Sequence, residues 1–398
     1  MISRRDAIRA IGLTAAAAGL PRIALGTTDS PGRFVLVVLR GAVDGLALAA
    51  PYGDGKYAQL RGELAIPAPG ESAGLLKLDG LFGLHPSLQN VHSHYQHGDA
   101  LVVHAVASAY RERSHFDGQD VLENGANRVG EQRDGWLNRA LPPLHSDVTP
   151  AIALSQNTPL VLRGDNAVTS WAPSRLPDAE ENTIRRLQAL YADDEFFATR
   201  LEQARRSREI AGVMGDKDRG RRRGNEAQQF HDLMEAAARF LKTPGGPNVA
   251  VVELGGWDTH ANQGASTGAL ANRFAILDEG LGKLRVGLDD AWQTTAVAAV
   301  TEFGRTVRVN GTRGTDHGTG TAALLLGGAI NGGRVIADWP GLRDRELYAG
   351  RDLQPTTDIR SVFKGLLIDH LRLSSSLVEN EAFPDSQAAP PLENLVKS

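Results

Sequence analysis

Six apolar runs constrain this chain more strongly than any other feature of its sequence. Each is four to eight residues long and rich in Val, Ala and Leu, and segments with helical character separate them. Apolar runs of this length predict strands buried on both faces. Strands that alternate with helices predict an α/β fold with a largely parallel central sheet. The predicted strands span residues 33–40, 100–106, 151–154, 249–254, 294–300 and 321–326.

The stretch between residues 178 and 242 has a different pattern. Residues 178–208 are strongly charged and predict a helix, and residues 227–241 place apolar side chains at helical spacing. We therefore predict a helical insertion near 178–242. The basic run at 217–223 has no interleaved aromatic residues, so we interpret it as a solvated loop and not as a nucleic-acid patch.

The remaining boundaries follow from the same patterns. A single α/β domain is expected over residues 31–375, with a C-terminal tail at 376–398. Residues 357–370 predict a helix with one apolar face, and the chain past residue 373 is expected to be extended.

Composition limits the chemistry that the chain can use. Of 398 residues, 41% are hydrophobic and 23% are charged, which is typical of a globular protein with a sizeable core. The formal net charge of −4 gives no case for nucleic-acid binding. The sequence contains no cysteine, which excludes disulfides, cysteine-ligated metals and cysteine nucleophiles. Any divalent metal must be held by His, Asp, Glu or other oxygen donors, which favours zinc, manganese, magnesium or calcium.

Residues 1–30 have the pattern of an export signal. The basic start Ser3-Arg4-Arg5 is followed by an Ala-rich apolar stretch that ends at Pro21. This arrangement resembles a twin-arginine signal and predicts a periplasmic or extracellular protein that the twin-arginine translocase exports. The apolar stretch is too short for a stable membrane span. The alternative is a frayed amphipathic helix at the N-terminus.

Acidic and imidazole side chains lie at the ends of several predicted strands. In an open α/β sheet the carboxyl ends of the strands form the edge at which ligands bind. The loop 311–320 is rich in Gly and Thr, and an adjacent Asp and His within it provide a metal half-site or an acid–base pair. For Asp44, a strand-ending Asp-Gly turn is the structural alternative. The candidate metal ligands are Asp44, Asp258, His260, Glu302, Asp316 and His317.

Ser114 is the candidate nucleophile. It precedes a predicted helix, where a hydroxyl is commonly an N-cap. The same position offers free N–H groups and the positive end of the helix dipole, which both favour an anion. Arg113 or Arg305 would hold that anion, and His115 adds a third imidazole.

These side chains meet only if their strands are neighbours in the sheet. They would then supply four carboxylates, up to three imidazoles, one hydroxyl and an arginine. This set is sufficient for one or two divalent ions, a nucleophile and an anion clamp. The sequence therefore indicates metal-dependent hydrolysis of a phosphate or sulfate ester, of a small molecule or a polysaccharide.

A family resemblance rests on six segments. They are the twin-arginine start, Arg40-Gly-Ala-Val-Asp-Gly45, Ser114-His-Phe116, Gly256-Trp-Asp-Thr-His260, Glu302-Phe-Gly-Arg-Thr306 and Gly314-Thr-Asp-His-Gly318. Together they resemble the DUF1501 family over nearly the whole chain after residue 30. The resemblance implies the alkaline phosphatase/sulfatase-like superfamily, with an α/β sandwich around a largely parallel sheet and metal-dependent ester hydrolysis.

The superfamily orders a first-strand Asp, a nucleophile at a helix N-terminus and two Asp/His pairs. This chain departs from it in spacing its first pair as Asp-Thr-His and in lacking an evident late His, since His370 lies in a predicted amphipathic helix. Glu302 is the candidate replacement. The missing His favours an alternative, a non-catalytic envelope binding or assembly protein on a degenerate hydrolase fold. The positions that match the order are Asp44, Ser114, Asp258 with His260, and Asp316 with His317.

A purely structural interpretation also remains open. Under it, Ser114 is an N-cap, and Asp316 and His317 form a hydrogen-bonded turn.

Overall fold

A computed structural model describes most of the chain outside its N-terminal segment. The predicted export signal at 1–30 and the basic run at 217–223 lie outside the described residues. Among the helices of the described part, none is both long and apolar enough to cross a membrane. The described residues are 32–144, 149–173, 181–212 and 225–397.

Strands alternate with helices along this part of the chain, as the sequence predicts. All six predicted strands are confirmed, each to within one residue at either end. The strands are β1 (Arg33–Leu39), β2 (Ala49–Ala50), β3 (Leu76–Lys77), β4 (Gly83–Leu84), β5 (Ala100–Ala107), β6 (Ala151–Leu154), β7 (Thr169–Ser170), β8 (Val249–Leu254), β9 (Thr295–Val300), β10 (Thr321–Leu326), β11 (Arg334–Ile336), β12 (Leu347–Tyr348), β13 (Asp352–Leu353) and β14 (Thr357–Asp358).

Helices occupy many of the segments between the strands. The segment 178–208, predicted as a helix, holds two, Glu181–Leu190 and Glu195–Gly212, and the helix predicted at 227–241 is confirmed as Glu226–Lys242. The helices are α1 (Gly45–Leu48), α2 (Tyr57–Arg61), α3 (Gln89–Gln96), α4 (His115–Asn124), α5 (Trp136–Arg139), α6 (Glu181–Leu190), α7 (Glu195–Gly212), α8 (Glu226–Lys242), α9 (Ala269–Leu288), α10 (Ile359–Gly365) and α11 (Ser375–Leu377).

A nine-stranded sheet forms the centre of the described chain, in the order β11-β5-β10-β9-β1-β8-β6-β7, with β14 also paired to β5. β1 pairs in parallel with β8 and β9, and β6 pairs in parallel with β8 and β7. β10 runs antiparallel to both β9 and β5. The largely parallel sheet expected from the apolar runs is therefore confirmed.

Both faces of the sheet are covered. Along β1, Val35 and Val37 enter one hydrophobic core, whereas Phe34 and Leu36 enter the other. Because side chains alternate across a strand, an unbroken apolar run fills both cores at once. Helices α8 and α9 contribute to the first core, and α4, α5 and α10 contribute to the second.

The C-terminal part differs from the prediction. The helix expected at 357–370 begins only at Ile359, because Thr357–Asp358 pairs with β5, and it ends in a π-helical turn, Leu366–His370. The extended conformation expected past residue 373 is wrong. Helix α11 and a second π-helical turn, Val378–Ala382, follow, and Val378 and Phe383 are buried in the core.

Candidate functional site

The loops that follow β1, β5, β8 and β9 converge on one edge of the sheet. These four strands run in the same direction, so their carboxyl ends lie at the same edge. β10 is antiparallel, so the loop that precedes it reaches this edge as well. A β-bridge between Arg305 and His317 joins the loop after β9 to the loop before β10. The loops that carry most of the candidate residues therefore lie together at this edge.

Three histidines and one aspartate meet at this edge. Asp258 Oδ1 lies 3.0 Å from His260 Nε2 and 3.1 Å from His317 Nε2. His115 Nε2 lies 3.5 Å from the same oxygen, and the Nε2 atoms of His260 and His317 are 2.9 Å apart. Tetrahedral ligands bound at about 2.0–2.1 Å are roughly 3.3 Å apart. His115, Asp258 and His317 offer three atoms that all lie within 4.8 Å of one another, and His260 Nε2 lies next to two of them.

The second nitrogen of each ring has a hydrogen-bond acceptor. Nδ1 of His115 lies 2.8 Å from Glu302 Oε1, and Nδ1 of His317 lies 2.9 Å from the Arg113 carbonyl oxygen. Nδ1 of His260 lies 3.2 Å from Asp316 Oδ1. Because these oxygens accept, each Nδ1 carries the hydrogen, and each Nε2 offers a lone pair to the cluster. Histidines that bind metal ions are usually oriented in this way.

Glu302 holds His115 and is not itself turned toward the other ligand atoms. Its Oε1 accepts from the Gly41 N–H at 2.9 Å, from His115 and from Gln119 Nε2 at 3.1 Å. Its Oε2 accepts from the Thr301 hydroxyl at 2.8 Å. Burial raises the pKa of Glu302, but these hydrogen bonds, led by that from His115, outweigh burial and hold the pKa below its ordinary value. A positioning role therefore describes Glu302 better than the expected ligand role, because Oε1 already accepts three hydrogen bonds, one of them from His115.

Asp316 has the corresponding place behind His260. Its Oδ1 accepts from Asn310 Nδ2 at 3.0 Å in addition to the contact with His260. The Asn310 hydrogen bond is the largest cause that holds the pKa of Asp316 below its ordinary value. The adjacent Asp316 and His317 therefore do not act as two ligands side by side, since only the histidine joins the cluster.

Asp44 does not join the cluster. It is 1% exposed, and its carboxylate pairs with the guanidinium of Arg61, accepts from Gln263 Nε2 at 2.7 Å and caps α1 at the Leu46 N–H, 3.1 Å away. Both carboxylate oxygens thus accept from donors of the protein. The structural alternative, a polar residue that ends the strand and shapes the turn, describes Asp44 better than the ligand prediction.

The two arginines expected to hold an anion are paired with carboxylates. Arg305 Nη2 donates to Asp258 Oδ1 at 2.8 Å, and its side chain is fully buried. Arg113 Nε and Nη2 donate to Asp352 Oδ2 at 2.8 and 2.7 Å. Burial raises the pKa of Asp258, but Arg305 and then His260 outweigh burial, and the pKa lies below its ordinary value. Asp258 is therefore ionised, with the guanidinium of Arg305 on the oxygen that faces the histidines.

Ser114 lies between two residues that hold the cluster. The carbonyl oxygen of Arg113 binds His317, and His115 follows Ser114 as the first residue of α4. Ser114 occupies the N-cap position of α4, as the structural interpretation has it, but its side chain makes no cap hydrogen bond. Its backbone N–H instead donates to the Tyr110 hydroxyl at 3.1 Å. The Ser114 hydroxyl is half-buried and not committed to the helix backbone.

A comparison with models of protein families shows to which family this chain belongs. The family model described as "Protein of unknown function (DUF1501)" matches residues 32–381. The chain belongs to the DUF1501 family. None of the curated proteins compared with it gives a significant match.

Solved structures resemble the DUF1501 chain only distantly. The C-terminal periplasmic domain of EcEptC from Escherichia coli, in complex with Zn, is 9% identical with a TM-score of 0.38, over 76% of this chain and 74% of that chain. Phosphonate monoester hydrolase of Agrobacterium radiobacter is 13% identical with a TM-score of 0.37, over 87% of this chain and 74% of that chain. These scores are too low to transfer a ligand or an activity to the DUF1501 chain.

The β12–β13 hairpin is a part of the DUF1501 site that sequence reasoning missed. Asp352 pairs with Arg113, Arg351 Nη2 donates to the His317 carbonyl oxygen, and the Tyr348 ring lies 5.8 Å from the Arg113 guanidinium. The strands are two residues long and contain no Asp–His motif, so no pattern marked them. The one local signal was the Ala349-Gly350 turn, where both residues have positive φ.

Proposed function

We propose that this DUF1501 protein is a metal-dependent hydrolase of phosphate or sulfate esters. The observation that supports the proposal is the four-donor cluster of His115, His260, His317 and Asp258, whose three imidazoles are each oriented by an acceptor at Nδ1. Orphan buried donor or acceptor atoms are rare in folded proteins. His115 Nε2 is such an atom, without a hydrogen-bond partner among the described residues, and a cation in the cluster would satisfy it.

The donor set fits zinc best among the ions expected from the composition. Three neutral imidazoles and one carboxylate form a nitrogen-rich set, which suits zinc, with manganese as the next choice. Calcium and magnesium prefer oxygen ligands and are disfavoured. A divalent ion held by these residues would supply Lewis-acid polarisation of the ester group. Asp258 would bind it as the anionic ligand, and Arg305 would keep Asp258 ionised.

Ser114 is the proposed nucleophile. In the first step its Oγ would lose its proton and form a bond to phosphorus or sulfur, and the ester oxygen would leave with the bonding electron pair and take up a proton to become an alcohol. Water would then cleave the seryl ester and release the inorganic anion, so that ester and water give alcohol and anion overall. The position of Ser114 before the first turn of α4 supports this role, since helix N–H groups and the dipole favour an oxyanion there.

The cluster also bears on the alternative of a non-catalytic binding or assembly protein. That alternative drew support from the lack of a late histidine. We infer that His115, which lies with Asp258 and His317, would supply the imidazole that a late histidine would otherwise provide, which weakens the support for this alternative. A polysaccharide or a small molecule that carries the ester group would serve as substrate.

Export remains part of the proposal and is supported by Ser3-Arg4-Arg5 alone. We expect residues 1–30 to direct a folded reporter to the periplasm, and replacement of both Arg4 and Arg5 by Lys to retain it in the cytoplasm. Export of the doubly substituted fusion at an unchanged rate would remove the twin-arginine route from the proposal.

Turnover by the metal-loaded protein tests the activity. The full chain should hydrolyse p-nitrophenyl phosphate or p-nitrophenyl sulfate, and Ser114→Ala should reduce kcat by at least about 1000-fold while the metal content stays unchanged. Ser93→Ala, which replaces a serine in α3 away from the cluster, is the matched control. A Ser114→Ala variant with the activity of the parent would show that Ser114 is not the nucleophile.

A further inference from the structure

We propose that Arg351, on the turn between β12 and β13, binds the oxyanion of the substrate at the mouth of the cluster. The inference rests on the proposed hydrolase function and names the residue that gives the site its preference for a tetrahedral oxyanion ester. The observation behind the inference is that the exposed Arg351 guanidinium contacts His317, a proposed metal ligand.

The donors of the other two arginines near the cluster are already used or enclosed. Arg113 donates hydrogen bonds from Nε and Nη2 to Asp352. Arg305 Nη2 donates to Asp258, and its Nε and Nη1 are buried. An ester group that arrives from solvent cannot reach these buried nitrogens unless the protein moves. An anion that approaches from solvent therefore finds few accessible donors on these two arginines, since the Arg113 side chain is only 23% exposed.

Arg351 has both the location and free donors. Its Nη2 donates to the backbone carbonyl oxygen of His317, so the guanidinium is bound to a residue whose side chain belongs to the cluster. Its Nε is 3.4 Å from Asp352 Oδ1, and the side chain is 41% exposed. Within the described residues its Nη1 has no hydrogen-bond partner. Arg351 thus has one guanidinium nitrogen bound inside the site and a side chain that is partly open to solvent.

The backbone of the hairpin fixes the position from which the Arg351 side chain extends. Ala349 and Gly350 have φ of 52° and 66°, which gives a tight turn, and the Arg351 N–H donates to the Tyr348 carbonyl oxygen at 3.1 Å. The Val307 N–H donates to the Arg351 carbonyl oxygen at 3.2 Å, which ties the turn to the loop after β9. A guanidinium held in this way loses little entropy when it binds, and its planar fork matches two oxygens of a phosphate or sulfate group.

Arg351→Gln separates this role from a structural one. With the metal-loaded full chain and inorganic phosphate or sulfate as the probe, we expect calorimetry to show about 10- to 100-fold weaker binding by the variant. Metal content and thermal stability should equal those of the parent. Arg308→Gln is the matched control, because Arg308 is 46% exposed, pairs with Asp344 and contacts the same hairpin at Gly350. Arg351→Lys should recover part of the lost affinity, since a positive charge remains.

Each other outcome decides against one of the two proposals. Equal anion affinity in Arg351→Gln and the parent overturns the role of Arg351 and leaves the hydrolase proposal standing. Loss of the metal ion in Arg351→Gln would also overturn it, because the residue would then only support His317. A parent protein that holds metal and binds neither anion contradicts the inference, whereas a parent that holds no metal contradicts the proposed function itself.

Discussion

His115 has two ring nitrogens with different functions. Nδ1 is bound to the buried, ionised Glu302, and Nε2 points to Asp258. The hydrogen bond to Glu302 is the largest cause that raises the pKa of His115 above its ordinary value. A carboxylate at Nδ1 fixes the tautomer and makes the ring a stronger electron donor through Nε2. At the scale of single residues, the site is therefore defined by the partner of each side chain as much as by its type.

Glu302→Gln tests this dependence. The amide keeps the shape of the carboxylate but removes the charge that polarises the His115 ring. We expect zinc affinity, measured by competition with a chelator, to fall about 10- to 100-fold. Glu253→Gln, at the end of β8 and paired with Arg40, should change the affinity little. Unchanged zinc binding in Glu302→Gln would separate Glu302 from the metal site.

The roles of individual residues were the least predictable part of the site from sequence. Asp258, His260 and His317 were expected as ligands, and the structure brings them together. Asp44 and Glu302 are also carboxylates that follow strands. The side chains that neutralise them or donate hydrogen bonds to them, Arg61 among them, come from other parts of the chain. Sequence spacing does not record which carboxylate meets which donor.

At the scale of elements, one buried cation fastens the C-terminal helical segment. Lys364 in α10 is fully buried, and its Nζ donates to the Glu379 carboxylate and to the Ser386 carbonyl oxygen, 2.9 Å away. A buried ammonium is stable only when it is paired and hydrogen-bonded. The pair explains why the chain past residue 373 packs in a helical conformation when its sequence suggested an extended one.

Glu379→Ala should destabilise the fold. It leaves the Lys364 charge buried with only part of its hydrogen bonding, so we expect urea denaturation to show a loss of about 3 kcal/mol in the free energy of unfolding. The double variant Lys364→Met/Glu379→Ala removes the charge as well and should regain most of this loss. A single variant as stable as the parent would show that the pair does not hold the segment.

At the scale of the whole molecule, the apolar runs predicted the sheet well because a buried parallel strand leaves a local signature. The antiparallel β10 could not be foreseen, since it forms the same kind of apolar run as its neighbours. The order of strands brings the loops after β8 and β9 together through β1, and that order depends on long-range pairing. Hence the sequence predicted that polar loops would meet, but not the β12–β13 hairpin that completes their edge.

Two buried histidines make the stability of the whole fold depend on pH. In His85 and His104, one ring nitrogen accepts from a backbone N–H and the other donates to a backbone carbonyl, so neither ring can take a second proton in place. Burial lowers the pKa of each to about 4. In the unfolded chain the pKa is about 6.5. The unfolded state therefore binds more protons between these values, and stability falls as the pH falls.

We expect the free energy of unfolding to decrease from pH 6.5 toward pH 4, by about 3 kcal/mol for each histidine across the window. Urea titrations at several pH values measure the slope. His104→Gln, whose amide can both donate and accept, should show a shallower slope than the parent. Parallel slopes for the parent and His104→Gln would contradict the assignment of His104 as a neutral buried ring.

The central claim is that His115, His260, His317 and Asp258 hold a metal ion. Elemental analysis of the folded full chain, purified without chelator or added metal, tests it most directly. We predict about one equivalent of zinc or manganese in the parent and in His97→Ala, whose ring lies on the exposed end of α3, and none in His115→Ala. A metal-free parent, or full retention of the metal in His115→Ala, would contradict the account.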